Sequence, residues 1–530
     1  MINLRKWSAV IGAFACVTAL VGAGSATTAA AAPRSAVDAD ISIDPGHGLA
    51  TVPRTAIGIN GSTYDSKLLD SQVPRLLRDV GVKVIRVPGG STSDVYDWKT
   101  NRDIVAGSPE AVDFDQFMSV VRATGAQAMV TVNYGSADTM GRVDGSDETG
   151  AQIAADWVRY ANVTHDYHVK YWEIGNEIYG NGTYGANWET DDHCLTSPSG
   201  PPVTLGSEPQ QTYGCGPATY ATVAGRYIQA MKAVDPSIRV GAVLTAPGNW
   251  PDGVTNTQSP QSWNQTVLEA IGGDIGFADI HWYPQNPSNV TPPGPTDAGL
   301  LATTDAIGGM VSTLRKEFTD WANRADIPIS VTETNSVSSN PGKQTLSVVN
   351  ALFLNQDYLT WLTNGVSNVD WWQTHNVPVL SPDEGSGLFG DATYGDYGVL
   401  SNGGCATSAD TTVCEPAADT RFSSYRGLQM LHGFIQPGDR IVAAASDQQL
   451  VRVYAVRKPT GQLQMMIIND DPDNAYDINL SAFGHRPSRY SSVAFYGPSS
   501  PSVQHLHGRR AWAAERTIPP YSITSFTLDR

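Results

Sequence analysis

The chain has 530 residues, of which 41% are hydrophobic and 16% are charged. These proportions are typical of a globular protein, and the length exceeds what one compact domain usually needs. The formal net charge of −18 argues against a nucleic-acid partner, because Lys and Arg side chains would have to neutralise the phosphates. The sequence therefore indicates an acidic protein of two domains that does not bind nucleic acid.

The first 32 residues have the pattern of a secretory signal peptide. Arg5 and Lys6 precede an apolar run over residues 7–24, and small residues with A-x-A-like cleavage sites follow up to Ala32. A membrane anchor is the alternative, but the run is short and interrupted by glycines. We expect residues 1–32 to be removed and the mature protein to be secreted, with no later segment entering a membrane.

Four cysteines remain once Cys16 is removed with this segment. In an exported chain they are expected to form disulfides, and the local pairs Cys194–Cys215 and Cys405–Cys414 are the simplest of three arrangements. A zinc site is the alternative, but the sequence has neither a C-x-x-C motif nor a matching histidine spacing. We therefore predict two local disulfides.

From about residue 55 to residue 435, short β-rich runs alternate with helical patterns. The strand candidates are residues 55–60, 83–87, 127–133, 169–174, 238–243, 277–283, 327–333 and 367–372. The helix candidates are residues 67–80, 115–125, 150–162, 218–234, 261–272, 305–323, 345–364 and 421–434. Eight strand–helix units in alternation predict an α/β fold, a (β/α)8 TIM barrel. A doubly wound open sheet is the alternative, but it would need a glycine-rich first turn.

Two insertions and a final domain complete the predicted organisation. Residues 178–217 and 373–420 interrupt the alternation after strands, where such insertions wall a cleft. From residue 436 to residue 530 the period becomes that of an antiparallel β-sandwich, with strand candidates at 449–456, 462–469, 490–497 and 521–528. Within the N-terminal segment 33–54, residues 40–46 are a candidate strand of the same sandwich.

Two glutamates follow barrel strands, at the end where such barrels build active sites. Glu177 comes after the fourth strand and Glu333 ends the seventh. A carboxylic acid that protonates a leaving oxygen, paired with a carboxylate that attacks carbon or activates water, is the chemistry of glycoside hydrolysis. The residues that we expect to bind the substrate lie near other strand ends or beside Glu177: Asn60, Ser91, Asn176, His281, Tyr283, Trp372 and Gln373. No metal-binding or nucleotide-binding motif is present, so we expect neither a metal nor another cofactor.

Glu173 is the other glutamate near Glu177. Strand alternation puts Glu173 out of phase with the residues of the site, so we expect it to make a structural salt bridge or hydrogen bond.

Four motifs together resemble a known group of enzymes: V-I-R-V-P-G-G, W-E-I-G-N-E, D-I-H-W-Y and V-T-E-T. They are similar to those of the clan A retaining glycoside hydrolases, above all the α-L-arabinofuranosidases and the related β-xylosidases and β-glucuronidases. The resemblance implies that Glu177 is the acid/base and Glu333 the nucleophile. It also implies that Asn176, His281, Tyr283 and Gln373 surround the sugar.

The chain departs from the arabinofuranosidase pattern at two positions near the sugar. It has Ser91 where that family usually has an asparagine after P-G-G, and 57-IGINGS-62 where the family carries an acidic residue. The first expectation is therefore an α-L-arabinofuranosidase that acts on an oligo- or polysaccharide. The alternatives are a β-D-galactofuranosidase, a β-xylosidase, a β-glucuronidase, a transglycosidase and a non-catalytic carbohydrate-binding barrel.

Overall fold

The computed structural model describes residues 36–144, 146, 148–180, 189–194, 216–255, 260–285, 296–380, 394–408, 411–481, 491–496, 503–507 and 516–528. Within these ranges no helix combines the length and the apolar character that crossing a membrane requires. The predicted signal peptide and most of the insertion at 178–217 lie outside them.

A closed barrel of eight parallel strands follows a first strand, β1 (Val37–Thr51). The barrel strands are β2 (Ile57–Asn60), β3 (Val84–Val87), β4 (Gln127–Val132), β5 (Tyr171–Ile174), β6 (Arg239–Leu244), β7 (Phe277–Trp282), β8 (Ile329–Thr334) and β9 (Asn368–Trp371). Neighbours in the chain are neighbours in the barrel, and β9 pairs with β2 to close it. The predicted TIM barrel is confirmed, with each strand within about two residues of its predicted bounds.

Helices surround the barrel because their apolar residues recur at helical spacing and pack against the strands. They are α1 (Val73–Asp79), α2 (Phe114–Thr124), α3 (Ala137–Asp144), α4 (Gly150–Val158), α5 (Pro217–Val234), α6 (Trp263–Ile271), α7 (Asp297–Ala302), α8 (Ile307–Ala322), α9 (Val348–Thr363) and α10 (Ser423–Phe434). Capping boxes begin two of them, with Asp113 and Gln116 at α2 and Thr149 and Gln152 at α4.

The helices depart from the prediction in two ways, one helix being divided and two short ones being missed. The predicted helix at 67–80 is divided into a 3-10 turn (Ser66–Leu69) and α1. Pro74 lies in the first turn of α1, where its missing N–H is tolerated, but it could not continue a helix that began earlier. The sequence prediction also missed α3 and α7, which have only eight and six residues, too few for a clear period.

The C-terminal part forms a nine-stranded sheet that includes β1. Its other strands are β10 (Arg440–Ser446), β11 (Val451–Arg457), β12 (Leu463–Asn469), β13 (Tyr476–Ser481), β14 (Ser491–Tyr496), β15 (Val503–His507), β16 (Thr517–Ile518) and β17 (Ser522–Leu528). β1 lies between β10 and β13, antiparallel to the first and parallel to the second. The segment before the barrel is therefore part of the sheet that follows it.

Buried and half-buried polar contacts join the sheet to α9. Gln356 donates to Asp470 at 2.7 Å, and the hydroxyls of Thr360 and Tyr454 are 2.9 Å apart. Asp470 belongs to the acidic turn that connects β12 and β13. In the structure it accepts hydrogen bonds from Gln356 and Arg452, and the two strands that this turn connects are not neighbours in the sheet.

Candidate active site

A buried arginine, Arg86 of β3, binds several polar groups below the barrel mouth. Its Nε lies 2.7 Å from Glu173, and its Nη1 lies 2.7 Å from Glu333. The guanidinium also donates to Oδ1 of Asn60 at 3.0 Å and to Oδ1 of Asn176 at 2.9 Å. Burial alone lowers the pKa of Arg86, but the charges of Glu173 and Glu333 raise it well above its usual value. The expected salt bridge of Glu173 is therefore present, and it supports the site from below.

Glu333 lies near the end of β8 with a donor on each carboxylate oxygen. Oε1 accepts from Arg86, and Oε2 accepts from the hydroxyl of Tyr283 at 2.8 Å. Burial is the main cause that raises the pKa of Tyr283 well above its usual value, so this hydroxyl remains a proton donor. The two donors come from different strands and fix the orientation of the carboxylate.

Glu177 follows β5 on a sharply turned backbone. Gly175 has a φ of 74°, and Glu177 itself has a φ of 44°, in the left-handed region that costs a residue with a side chain about 1–2 kcal/mol. Its Oε1 accepts from the hydroxyl of Tyr179 at 3.0 Å. The side chain of Glu177 is 21% exposed, compared with 6% for Glu333. The turn therefore carries the carboxyl out of the strand and into the mouth.

His281, near the end of β7, lies between the two glutamates. Its Nδ1 is 3.0 Å from Oε1 of Glu177 and 3.6 Å from Oε2 of Glu333. Burial alone lowers the pKa of His281, but the charge of Glu333 and the hydrogen bond to Glu177 raise it to about 9. At neutral pH the imidazole is therefore protonated and offsets part of the negative charge at the mouth.

The separation of the two glutamates is the central dimension of the site. One oxygen of Glu177, one oxygen of Glu333 and one nitrogen of His281 all lie within 4.8 Å of one another. Retaining glycosidases have carboxyl groups about 5–5.5 Å apart, and inverting ones about 6.5–9.5 Å apart. One oxygen of each glutamate thus lies closer to the other than the separation typical of inverting enzymes, which favours a retaining pair.

A second acidic group lies beside Glu177, below the predicted substrate-binding residues Asn176 and Ser91. Glu189, 3% exposed, accepts from Nδ2 of Asn176 at 2.8 Å and from the hydroxyl of Ser91 at 2.7 Å. Asp94 accepts from the backbone N–H of Asn176 at 2.8 Å. Burial raises the pKa of Asp94 to about 8. These contacts connect the segment after β3 with the segment after β5.

The remaining predicted binding residues lie on the side of β9 and β2. Trp372 rests on Gly90, where an added Cβ would lie 2.7 Å from the indole ring. Gln373 is buried, and its Oε1 accepts from Ser62 at 2.7 Å. Trp372 therefore lies beside the mouth, whereas Gln373 is hydrogen-bonded to other protein groups.

Asn60 is held by protein groups inside the barrel. It is fully buried at the end of β2, donates to the backbone oxygen of Thr332 at 2.9 Å and accepts from Arg86. With its amide engaged in this way, Asn60 supports Arg86, and its contact with the sugar stays a prediction.

Among the described residues, two groups of acidic and histidine side chains are close enough to hold a metal ion. They are Glu177, His281 and Glu333, and Asp191, Asp192 and His193. In the second group, Nδ1 of His193 lies 2.9 Å from Asp191 and 3.5 Å from Asp192. Hydrogen bonds and ion pairs account for the proximity within both groups, and we assign a metal to neither.

One of the two predicted disulfides can be located. Cys405 and Cys414 are bonded and join the short antiparallel strands Cys405–Ser408 and Thr411–Cys414. Cys215 and the side chain of Cys194 lie outside the described residues.

Arg86 and Glu189 are residues of the site that had no predicted role. Arg86 carried a signal, because a basic side chain within the apolar strand V-I-R-V must find a buried partner. Glu189 carried none, since it lies in an insertion without a period.

The chain is similar to α-L-arabinofuranosidases. It is 23% identical over 268 residues to the intracellular exo-α-(1→5)-L-arabinofuranosidase of Acetivibrio thermocellus, a match over 48% of this chain and 45% of that relative. The chain thus spans less than half of the relative's length. No protein-family profile matches. The predicted resemblance to α-L-arabinofuranosidases is confirmed at this level of similarity.

Solved structures share the fold over almost the whole chain. The α-L-arabinofuranosidase of Thermotoga maritima, in an arabinose complex, has a TM-score of 0.63 at 16% identity and covers 92% of this chain and 99% of its own. A family 44 xyloglucanase of Paenibacillus polymyxa has a TM-score of 0.59 at 11% identity and covers 93% and 99%. The same architecture therefore occurs in enzymes with different substrates.

Proposed function

We propose that this protein is a retaining glycoside hydrolase that acts on α-L-arabinofuranosides, with Glu333 as nucleophile and Glu177 as acid/base. The observation that carries the proposal is the pair itself, with carboxylate oxygens within 4.8 Å of each other across the mouth. Neither glutamate would be needed in this geometry by a barrel that only binds carbohydrate. The non-catalytic alternative therefore leaves the pair unexplained.

In the first step Glu333 attacks the anomeric carbon while Glu177 gives its proton to the departing glycosidic oxygen. The C–O bond of the substrate breaks, and an ester bond forms between the sugar and Glu333. The contacts of Glu333 fit this role, because Arg86 and Tyr283 orient its two oxygens. Both can stay hydrogen-bonded to Glu333 as the carboxylate loses its negative charge on forming the ester.

In the second step Glu177 removes a proton from water, and the water oxygen attacks the same carbon. The ester bond breaks, and Glu333 returns to its carboxylate form. Glu177 has the more exposed side chain of the pair, at 21%, which suits a group that must meet both a leaving group and water. Two inversions at one carbon give net retention.

The choice of arabinofuranoside rests on the curated relatives, since the sequence departs from their pattern at Ser91 and at residues 57–62. A β-D-galactofuranoside, β-xyloside or β-glucuronide would use the same two glutamates. A panel of chromogenic glycosides of these four sugars tests the assignment. We expect the arabinofuranoside to have the highest kcat/KM. A higher value for another sugar would move the assignment to that sugar, and no turnover of any glycoside would overturn the proposed activity.

We also propose that the protein is exported and acts on oligo- or polysaccharide outside the cell. The support is the pattern of residues 1–32 together with the Cys405–Cys414 disulfide, because disulfides persist in oxidising compartments. The relative named above is called intracellular, so the compartment needs its own test. Mass spectrometry of protein from the culture medium should give a chain that begins within a few residues of position 33. A full-length chain confined to the cytoplasm would contradict export.

A further inference from the structure

A short segment of the insertion after β5, Glu189–Cys194, is packed against the turn that follows β4. The backbone N–H of Asp192 donates to the carbonyl oxygen of Gly135 at 2.6 Å. The contact is close, because a Cβ at Gly135 would lie 1.9 Å from the carbonyl oxygen of Thr190. The ring of His193 also stacks on Tyr134 with centroids 4.5 Å apart. The segment is thus held by backbone and ring contacts beside the mouth.

Glu189 is the residue of this segment that reaches the site. Its Oε1 accepts from Nδ2 of Asn176 at 2.8 Å and from the hydroxyl of Ser91 at 2.7 Å, and its side chain is buried. Ser91 lies at the exposed end of the segment after β3, and Asn176 directly precedes Glu177. A single carboxyl oxygen therefore joins the insertion to two sides of the pocket.

These contacts fix the amide of Asn176 in one orientation. Its Oδ1 accepts from Arg86 at 2.9 Å, its backbone N–H donates to Asp94, and one N–H of Nδ2 donates to Glu189. An amide NH₂ group has two donors, and the second has no acceptor among the described residues. That N–H is the one left to meet a hydroxyl of the substrate.

We propose that Glu189 is a positioning residue of the sugar pocket, which holds Asn176 so that its remaining N–H donates to the sugar 2-hydroxyl. The inference rests on the proposed function and adds to it a residue from the insertion. The hydrogen bonds of Glu189 to Asn176 and Ser91 place it behind these substrate-binding residues, so it acts through Asn176. Its contribution grows in the transition state, where hydrogen bonds to the 2-hydroxyl strengthen.

The protonation of Glu189 suits this role. Burial, then the charges of Asp94 and Glu177, raise the pKa of Glu189 well above its usual value. A neutral carboxyl can still accept from Asn176 and Ser91 through its carbonyl oxygen. It does so without placing another negative charge beside Glu177, and glutamine can reproduce the same acceptor.

A purely structural role, in which Glu189 only anchors the insertion, makes a different prediction. Loss of an anchor lowers the activity on every substrate by the same factor, whereas loss of Asn176 positioning matters only when the sugar carries a 2-hydroxyl.

The chain also has an Asn–Glu hydrogen bond outside the mouth that matches the one between Asn176 and Glu189. Nδ2 of Asn264 donates to Glu317 at 2.9 Å, between α6 and α8. Glu317→Ala is therefore the control for Glu189→Ala.

The test compares kcat/KM for the aryl glycoside that the wild type hydrolyses best with its 2-deoxy analogue. We expect Glu189→Ala to lower kcat/KM about 10-fold on the 2-hydroxy substrate and less than about twofold on the 2-deoxy substrate. Combined with Asn176→Ala, it should add less than about twofold, because the two residues act as one unit. Glu189→Gln should recover most of the loss, and Glu317→Ala should leave the ratio of the two substrates unchanged.

Equal losses on both substrates, or a full multiplicative loss in the double variant, would overturn the positioning role while leaving the hydrolase assignment intact. A wild type that hydrolyses no glycoside would instead overturn the proposed function and this inference with it.

Discussion

The two sides of the barrel mouth present their glutamates in different ways. Glu333 lies within β8, 6% exposed, and receives hydrogen bonds from Arg86 and Tyr283. Glu177 lies beyond the end of β5 on a backbone with a φ of 44°, and its side chain is 21% exposed. One carboxylate is fixed by the barrel, and the other is carried by a turn beside an insertion.

This difference matches two chemical tasks. A nucleophile needs one fixed line of attack, which a buried strand with two donors provides. An acid/base needs contact with a leaving group and later with water, which a turn at the mouth provides. Specific substitutions test the role of each glutamate, and the largest effect is expected for the first of them.

The largest effect is expected from Glu333→Gln, which removes the nucleophile at almost constant volume. We expect kcat to fall by more than about 10,000-fold on every glycoside, because no bond to the sugar can form. Steady-state kinetics measure the loss, and circular dichroism with thermal melting checks that the variant is folded. Glu317→Gln, at a half-buried acid outside the mouth, is the control. Activity above a tenth of wild type would remove Glu333 from its role.

The next effect is expected from Glu177→Ala and depends on the leaving group. For a poor leaving group, which needs protonation, kcat/KM should fall by about 100- to 10,000-fold. For a dinitrophenyl glycoside the first step should be nearly unaffected, and azide should accelerate the second step and yield a glycosyl azide. Equal losses for both substrates together with no azide product would contradict the acid/base assignment.

A smaller effect is expected when the tyrosine hydroxyl that donates to each glutamate is removed, and the two variants compare the two sides of the mouth. Tyr283→Phe removes a donor to the buried Glu333, and we expect kcat/KM to fall about 10- to 100-fold, since a hydrogen bond to a charged group contributes about 1.5–3 kcal/mol. Tyr179→Phe removes a donor to the more exposed Glu177, where water can replace the hydroxyl, and about threefold is expected. A larger loss for Tyr179→Phe would reverse the comparison.

The smallest effect is expected for His281, which lies between the two glutamates. Its pKa is raised to about 9 in the folded protein, above the value of about 6.5 expected for the unfolded chain. The stabilisation is therefore complete below about pH 6.5 and is lost as the pH rises through about 9, because the folded state binds the extra proton.

Urea unfolding between pH 6.5 and pH 9 measures this contribution. The free energy of unfolding of the wild type should decline more steeply with pH than that of His281→Asn. His375, held by Asp65 and Asp419 with its pKa also raised to about 9 after the lowering effect of burial, contributes to both curves and cancels in the difference. Parallel curves would contradict the ion-pair role of His281.

The sequence predicted those features that depend on periodicity and on strand ends. Eight alternating units fixed the barrel, and Glu177 and Glu333 followed because each stands where a parallel strand reaches the mouth. The split of the helix at 67–80 could also have been read from Pro74. These are local properties of the chain.

The supporting contacts join distant parts of the chain, so they could not be predicted from the sequence. Arg86 meets Glu333 across 247 positions, and Glu189 enters the site from an insertion that has no repeating pattern. The partners of Asn60 could not be predicted for the same reason, since only the closed barrel brings Thr332 and Arg86 to its amide. The reacting glutamates can be predicted from their positions along strands. Their hydrogen-bond partners depend on how the strands close into a barrel.

The stereochemistry of the first product tests the central claim most directly. Proton NMR recorded in the first minutes of hydrolysis, before mutarotation, identifies the anomer that the enzyme releases. A pair with oxygens within 4.8 Å of each other predicts the anomer with the configuration of the substrate. Release of the inverted anomer would mean that Glu333 activates water instead of attacking the sugar, and would contradict the account.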